Sequence, residues 1–135
     1  MIEKLGLGER IKFLGFREDV ADCLNIFDIF VLSSTTEGFS IATVEAMSLG
    51  NPVVVTDCGG PAEIVTNNQT GFLVPPRDPE SLAKKIILLL ENKKLREEMG
   101  TKAQIWVRKK FSLEENIKNY ELLYINCMKR HFRSS

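Results

Sequence analysis

The chain has 135 residues, of which 44% are hydrophobic, and its 18 basic side chains balance 18 acidic ones. This length and composition predict one soluble domain with a real core, and the balanced charge gives no net attraction to nucleic acid or an anionic membrane. No apolar run approaches the ~20 residues of a membrane span, and the charged start is unlike a secretory signal.

Cysteine usage indicates the compartment. The three cysteines, Cys23, Cys58 and Cys127, are few, odd in number and far apart, and they show no Cys/His spacing typical of a metal site. We therefore interpret them as reduced thiols of a cytoplasmic protein that mostly fill the core.

The first half of the chain alternates between strand and helix patterns. Continuous apolar runs predict strands buried on both faces, and apolar residues three or four positions apart predict helices. In chain order, the predicted elements are strand 10–16, helix 17–27, strand 28–34, helix 40–50, strand 51–57, helix 60–67, strand 70–76 and helices 78–92, 93–111 and 112–132. Such alternation with short links predicts an α/β fold, a Rossmann-like parallel sheet flanked by helices.

Local signals mark several helices. Asp78 and Pro79 are typical of an N-cap and a first helical position, and Ser112 with Glu115 matches a capping box. Trp106 sits at helical spacing and is predicted to lie in the core rather than to contact a ligand.

One stretch, "SSTTEGFSIATVEAMSLGNPVVVTD", places two carboxylates around a helix start that follows a predicted strand. With Ser40 as N-cap, its hydroxyl accepts a hydrogen bond from the amide of residue 42 or 43. Glu45 then falls in the second helical turn, and Glu37 precedes the helix on a loop where Gly38 is expected to allow a turn that other residues resist. In parallel sheets ligands bind beyond the carboxyl ends of the strands, where this stretch lies.

The chemistry of this stretch suits a nucleotide sugar. The free amides of residues 39–42 and the helix dipole form an anion site that fits a diphosphate, whereas carboxylates on either side accept hydrogen bonds from hydroxyls. Either glutamate alone is usually only a solvated side chain. The spacing, the glycine–aromatic pair and the preceding strand together favour a ligand that carries polyols on both sides of an anion.

Four ordered motifs resemble one known family. The stretch "EGFSIATVEAMSLGNPVVVTDCGGPAEIVTNNQTGFLVPPRDPESLA" is similar to the nucleotide-binding C-terminal domain of retaining glycosyltransferases of family 4, which have the GT-B fold. "RIKFLGF", "ADCLNIFDIFVLSS" and "FSLEENIKNYELLY" resemble the neighbouring segments of that family. The resemblance covers nearly the whole chain, and the ordered series is more specific than the glutamate pair alone.

The resemblance implies roles for individual residues. The implied donor-binding set is Phe16, Arg17, Gly38, Phe39, Ser40, Ile41, Thr43 and Glu45. Glu37 would contact hydroxyls of the donor sugar as the residue nearest catalysis, and Glu45 would bind the ribose hydroxyls. Backbone amides of residues 39–41 would hold the diphosphate or the sugar, and residues 16–17 would lie beside the nucleobase.

The implied reaction transfers a sugar from a nucleoside diphosphate sugar to an acceptor, with retention at the anomeric carbon. No metal or other cofactor is expected, because the helix dipole, amides and basic side chains would stabilise the departing diphosphate. No protein nucleophile is evident, and the acid–nucleophile carboxylate pair of glycoside hydrolases does not fit. Gly59 and Gly60 either let a loop approach the site closely or only form a turn.

The chain departs from the family pattern before its first predicted strand. We expect one domain over residues 1–135 that lacks the acceptor domain and the first two strand–helix units, whose Arg–Lys pair would neutralise the diphosphate. Arg10, Lys12 and Arg17 do not stand at the place of that pair. Strands 10–16 and 28–34 would then either pair directly or leave a gap that another chain fills, and an exposed strand edge favours a homo-oligomer.

Several functions stay open. The chain is either the donor-binding part of a glycosyltransferase, which alone binds donor weakly and transfers nothing, or a non-catalytic nucleotide-binding module that needs a partner chain. The glutamate pair disfavours a nucleotide-sugar epimerase of related fold. The acceptor would be a sugar or a lipid-linked glycan bound by an N-terminal domain. A lipid-linked acceptor would place the protein at the inner membrane face, although the basic tail "MKRHFRSS", with His131, is expected to be a solvated end.

Overall fold

The computed structural model describes residues 1–131, with side chains up to Lys129. Its centre is a parallel sheet with the strand order β1-β2-β3, in which Val31 pairs with Val54. The strands are β1 (Phe30–Leu32), β2 (Val53–Thr56) and β3 (Phe72–Val74). The predicted α/β fold is confirmed, and each of these strands lies inside its predicted range.

The described part of the chain also contains six α-helices and a short 3-10 turn (Glu3–Leu5). The helices are α1 (Val20–Asn25), α2 (Ile41–Ser48), α3 (Gly60–Ile64), α4 (Pro79–Glu91), α5 (Lys93–Lys110) and α6 (Leu113–His131). The Ser112 hydroxyl accepts a hydrogen bond from the Glu115 amide at 3.1 Å, which confirms the predicted cap of α6. Residues 132–135, where the predicted basic tail ends, lie outside the described residues.

The core has two parts, one on each face of the sheet. Val53, Val54 and Val55 are fully buried, and neighbouring side chains of a strand point to opposite faces. Val53 and Val55 pack with residues of α1, α2, α3 and α5, whereas Val54 packs with residues of β3, α4 and α5. The continuous apolar run in the sequence is explained by helices that cover both faces.

Side chains of α5 donate hydrogen bonds to the last residues of α2 and α3. Gln104 donates a hydrogen bond from Nε2 to the Ser48 carbonyl at 3.0 Å, and Trp106 donates from Nε1 to the Ile64 carbonyl at 2.8 Å. Trp106 also packs against the larger part of the core. Because Trp106 is half-buried at the edge of this core, the prediction that it lies in the core is confirmed only in part.

The strand predicted at 10–16 is not formed, and that prediction is wrong. Phe13 and Phe16 in this segment are 85% and 91% exposed. A strand needs a neighbour for its amides and carbonyls, and among the described residues β1 pairs only with β2. Segment 10–16 does not occupy the unpaired edge of β1, so the expected direct pairing between the strands at 10–16 and 28–34 is not formed.

Two further features differ from what the sequence indicates. All three cysteines are free, but they do not fill the core, because Cys23 and Cys58 are half-buried and Cys127 is exposed. The helical spacing of apolar residues on α6, at Leu113, Ile117, Tyr120 and Tyr124, forms an apolar stripe in the sequence, yet these side chains are exposed. No helix within residues 1–131 has both the length and the apolar character to cross a bilayer.

Candidate functional site

Glu37 lies on the loop between β1 and α2, and both its backbone and its side chain are held in place. Its N–H donates to the Cys58 carbonyl at 3.3 Å, and the Gly60 N–H donates to the Glu37 carbonyl at 3.1 Å. The Ser34 hydroxyl donates to Glu37 Oε2 at 3.2 Å. The half-buried carboxylate is thus fixed at the carboxyl end of the sheet.

Gly59 and Gly60 make this arrangement possible. A Cβ at Gly60 would lie 1.4 Å from the Gly38 carbonyl oxygen, and one at Gly59 would lie 2.6 Å from the Glu37 carbonyl oxygen. Gly59 also has φ of +123°, which side chains disfavour. The sequence left open whether these glycines let a loop approach the site closely or only form a turn, and the structure favours the close approach of the loop.

The backbone conformation at residue 38 does not require glycine. The φ of Gly38 is not among the positive values of the described glycines, and a Cβ there would meet nothing within 4 Å. The expectation that Gly38 permits a turn that other residues resist is wrong. Glycine is required instead at Gly59 and Gly60, on a loop that lies beside Gly38 only in the folded chain.

Ser40 is the N-cap of α2, as predicted. Its Oγ accepts a hydrogen bond from the Thr43 amide at 3.4 Å and lies 2.8 Å from Thr43 Oγ1. Both side chains are buried. This cap fixes the first turn of α2 while leaving the amides of residues 41–42 without an intrahelical partner.

The other residues of the predicted stretch are accessible on α2 and its approach. Glu45 and Ile41 are exposed on the helix. Phe39 is half-exposed and packs edge-to-face on Phe111, with ring centroids 5.4 Å apart and an interplanar angle of 66°. The site thus presents an open carboxylate, an aromatic ring and free amides at one helix start.

A cavity of about 480 Å³ opens beside this helix start. It is lined by Gly38, Phe39, Asp57, Gly59, Gly60, Ala62 and Glu63. Asp57 and Glu63 were not among the sequence-predicted site residues. The position of Asp57 directly after a buried strand was the available signal, since ligands of parallel sheets bind at strand carboxyl ends.

Phe16 and Arg17 lie in the unpaired segment before α1. Arg17 donates from Nε to Asp19 Oδ1 at 2.7 Å and also from its terminal nitrogen to Oδ2. This pair lowers the pKa of Asp19 and, together with the nearby Cys23, raises the pKa of Arg17. Their role beside a nucleobase stays a prediction, since no strand holds them at the sheet edge.

A second cavity of about 200 Å³ lies at the carboxyl ends of all three strands. It is lined by Ser33, Thr35, Thr56, Arg77, Asp78, Pro79 and Leu82. None of these residues belongs to the set that the sequence predicts to bind a ligand. Within residues 1–131, no group of three or more His, Cys, Asp or Glu side chains could hold a metal ion.

The family of glycosyl transferases group 1 matches residues 1–106. The chain belongs to this family. One curated relative, N-acetyl-alpha-D-glucosaminyl L-malate synthase of Bacillus anthracis, is 31% identical over 129 residues, which make up 96% of this chain and 34% of that protein. The group 1 chain spans about a third of the length of the curated relatives it matches.

Solved structures share the fold of this group 1 chain. Anabaena Alr3699/HepE in complex with UDP-glucose gives a TM-score of 0.85 at 34% identity, over 91% of this chain and 34% of that one. The C-terminal domain of a group 1 family protein (LpcC) from Francisella tularensis gives 0.74 at 27% identity, over 83% and 59% of the two chains. The predicted resemblance is confirmed at the level of the family and of the GT-B C-terminal domain fold.

Proposed function

We propose that this chain binds the nucleoside diphosphate sugar of a retaining glycosyltransferase, which transfers the sugar to an acceptor. The observation that carries the proposal is the fixed position of Glu37 beside the start of α2. Its backbone is hydrogen-bonded to residues 58 and 60, and its carboxylate accepts a hydrogen bond from Ser34. The adjoining cavity of about 480 Å³ is large enough for a sugar ring and its neighbours. The similarity to a structure with bound UDP-glucose supports the same reading.

In this proposal the two carboxylates and the start of α2 bind different parts of the donor. Glu37 accepts hydrogen bonds from the donor sugar, and Glu45 accepts them from the ribose. The free amides at 39–41 and the positive end of the α2 dipole bind the diphosphate. Because these groups stabilise the charge that develops on the leaving diphosphate, we propose that transfer needs no metal ion.

The partners beyond the donor are proposals as well. We propose that residues 1–135 form one domain and that the acceptor, a sugar or a lipid-linked glycan, is held by a separate N-terminal domain. A lipid-linked acceptor would bring the protein to the inner face of the membrane from the cytoplasm. The open edge of β1 offers a place for a second copy to pair.

A nucleotide-binding module that needs a partner chain is the second candidate. The exposed, unpaired segment at 10–16 and the open β1 edge favour it. The two candidates share one donor site and differ in whether the complete protein transfers a sugar, so neither predicts transfer by the chain alone. We expect the purified 135-residue chain to bind donor weakly and to release no sugar from UDP-glucose, GDP-mannose or ADP-glucose. Turnover by the chain alone, measured as nucleotide release, would contradict this expectation.

A binding titration tests the donor site directly. The chain is titrated with UDP, GDP and ADP by calorimetry or NMR, and the base that binds identifies the donor class. Glu45→Ala should weaken binding about tenfold or more, because it removes charge-assisted hydrogen bonds to the ribose.

Glu91→Ala is the matched control, since Glu91 is an exposed carboxylate on another helix, α4. We expect this variant to bind nucleotide as the unchanged chain does. Absence of binding at millimolar concentration, or equal binding by the Glu45→Ala variant, would refute the donor site.

A further inference from the structure

The first cavity, of about 480 Å³ beside the start of α2, has an aromatic residue at its border. Among the described residues that line it, Phe39 is the aromatic one, whereas Asp57 and Glu63 carry carboxylates. Phe39 is 50% exposed. Because ligand pockets combine aromatic surface with a few polar groups that fix orientation, Phe39 is the lining residue best suited to an apolar contact with a ligand.

The ring of Phe39 is oriented by a residue that is distant in sequence. Phe111 packs edge-to-face against it, with ring centroids 5.4 Å apart and an interplanar angle of 66°. Aromatic pairs favour this arrangement over a face-to-face stack. Phe111 is not among the residues that line the cavity. It can therefore influence a ligand in the cavity through Phe39 rather than by direct contact.

Phe111 is itself held in place at the junction of α5 and α6. Its amide donates to the Val107 carbonyl at 2.9 Å, and its half-buried ring packs against the larger part of the core. The neighbouring Lys110 donates from Nζ to the Glu63 carbonyl at 2.6 Å, and the same nitrogen lies 5.2 Å from the centroid of the Phe111 ring. The junction thus contacts two residues that line the cavity, Phe39 and Glu63.

We propose that Phe111 is a positioning residue of the donor site, which holds the Phe39 ring where this ring contacts the sugar of the donor. The inference rests on the proposed function, in which the first cavity takes that sugar. It adds a residue beyond positions 1–106, which are the part of the chain that matches the family. Phe111 then sets the affinity for the sugar without touching the donor.

The experiment measures the affinity of the 135-residue chain for a nucleotide and for its sugar-bearing form. The pairs are UDP with UDP-glucose, GDP with GDP-mannose and ADP with ADP-glucose, and the readout is the ratio of the two dissociation constants. The unchanged chain should bind one nucleotide sugar more tightly than the free nucleotide. Phe111→Leu should weaken binding of the nucleotide sugar about fivefold, as expected for loss of an aromatic contact, while nucleotide binding stays within twofold.

Phe111→Tyr tests whether the ring is the feature that matters. This variant keeps the ring that packs on Phe39, so its ratio of dissociation constants should return to that of the unchanged chain. A ratio for Phe111→Tyr as low as that for Phe111→Leu would contradict the role of the ring.

Phe30→Leu is the matched control for loss of a phenyl ring. Phe30 is half-buried against the same part of the core as Phe111, but it lines neither cavity at the strand ends. Both Phe→Leu variants should lower the melting temperature, because each removes packed atoms. The ratio of dissociation constants should change in Phe111→Leu alone, and an equal change in Phe30→Leu would reduce the role of Phe111 to stability.

A double-mutant cycle tests whether Phe111 acts through Phe39. Phe39→Leu should lower the ratio as far as Phe111→Leu does, and the double variant should show no further loss. Additive losses would overturn the inference. Since Phe39 is half-exposed, Phe39→Leu is expected to fold, and an unchanged ratio in this variant refutes the sugar contact even if Phe111→Leu does not fold.

The outcomes distinguish this inference from the proposed function. If the unchanged chain binds a nucleotide and its sugar-bearing form equally, or if Phe111→Leu leaves the ratio within twofold, the positioning role is refuted while the nucleotide site stands. If the chain binds no nucleotide and no nucleotide sugar at millimolar concentration, the proposed function fails and this inference fails with it.

Discussion

At the scale of single residues, the position of Glu37 depends on Gly59 and Gly60, because a Cβ at either position would overlap the neighbouring loop. The Gly60 backbone lies so close to Gly38 that a Cβ would overlap the Gly38 carbonyl oxygen, at 1.4 Å. The same contact brings the Gly60 N–H within 3.1 Å of the Glu37 carbonyl. Close approach of two loops therefore sets where the carboxylate stands.

Replacement of Gly60 by Ala should test this contact. We expect Gly60→Ala to lower the free energy of unfolding by about 2–3 kcal/mol, because the added methyl group overpacks a site with no room for it. Denaturant titration measures the loss. The control is Gly38→Ala, whose Cβ would meet nothing within 4 Å. Equal stability of the two variants would show that the loops do not pack as described.

At the scale of elements, hydrogen-bonding caps fix where the helices that border the site begin. Ser40 caps α2 through the Thr43 amide, and Asp78 caps α4 through the Ser81 amide. Hydrogen bonds from the Ser81 hydroxyl and then from its amide lower the pKa of Asp78, because both favour the charged carboxylate. Both caps are local, which is why the sequence already indicated them.

The lowered pKa of Asp78 gives stability a defined pH dependence. The cap contributes fully above the unfolded pKa of about 3.9 and is lost as the pH falls through the lower folded value. The melting temperature of Asp78→Asn should therefore lie below that of the unchanged chain at pH 5–8, and the gap should shrink below about pH 4. Thermal scans by circular dichroism at several pH values measure the gap.

Ser81→Ala provides the internal comparison for this pH effect. It removes the largest cause of the pKa shift but leaves the amide that also donates to Asp78. When Ser81 is replaced by Ala, we expect the melting-temperature gap caused by Asp78→Asn to change less with acid. A gap between Asp78→Asn and the unchanged chain that persists undiminished to pH 2.5 would argue against the charged cap.

At the scale of the whole molecule, the sheet is incomplete on one side within the described residues. Segment 10–16 is apolar in sequence yet exposed, and β1 hydrogen-bonds only to β2. The apolar stripe of α6 is exposed as well. These surfaces lie outside the two parts of the core, whose residues come from α1 through α5 and the sheet.

Hydrogen exchange should reveal this difference in order. Amides of β2 should exchange slowest, because they are buried and paired on both sides, whereas amides at 11–16 should exchange with little protection. The measurement is made at two protein concentrations by NMR or mass spectrometry. Protection at 11–16 that grows with concentration would support pairing with a second copy, and protection equal to β2 in the dilute chain would contradict the described fold.

The sequence by itself determined the features that depend on neighbours in the chain. The buried valine run of β2 and the Ser40 and Asp78 caps were predicted correctly. Each follows from local periodicity or from a hydrogen bond over three residues. The stretch from Glu37 to Glu45 is brought together for the same reason, since one loop and one helix carry it.

Only the tertiary structure decided the features that depend on distant partners. Segment 10–16 has a strand pattern but no strand, because the pattern cannot supply the neighbour that a ladder of hydrogen bonds requires. The backbone requirement falls on Gly59 and Gly60 rather than on Gly38, because the approach of one loop to another decides where a Cβ cannot fit. The hydrogen-bonded strand order β1-β2-β3 brings the loops after three separate strands around one cavity, and local periodicity does not specify that order.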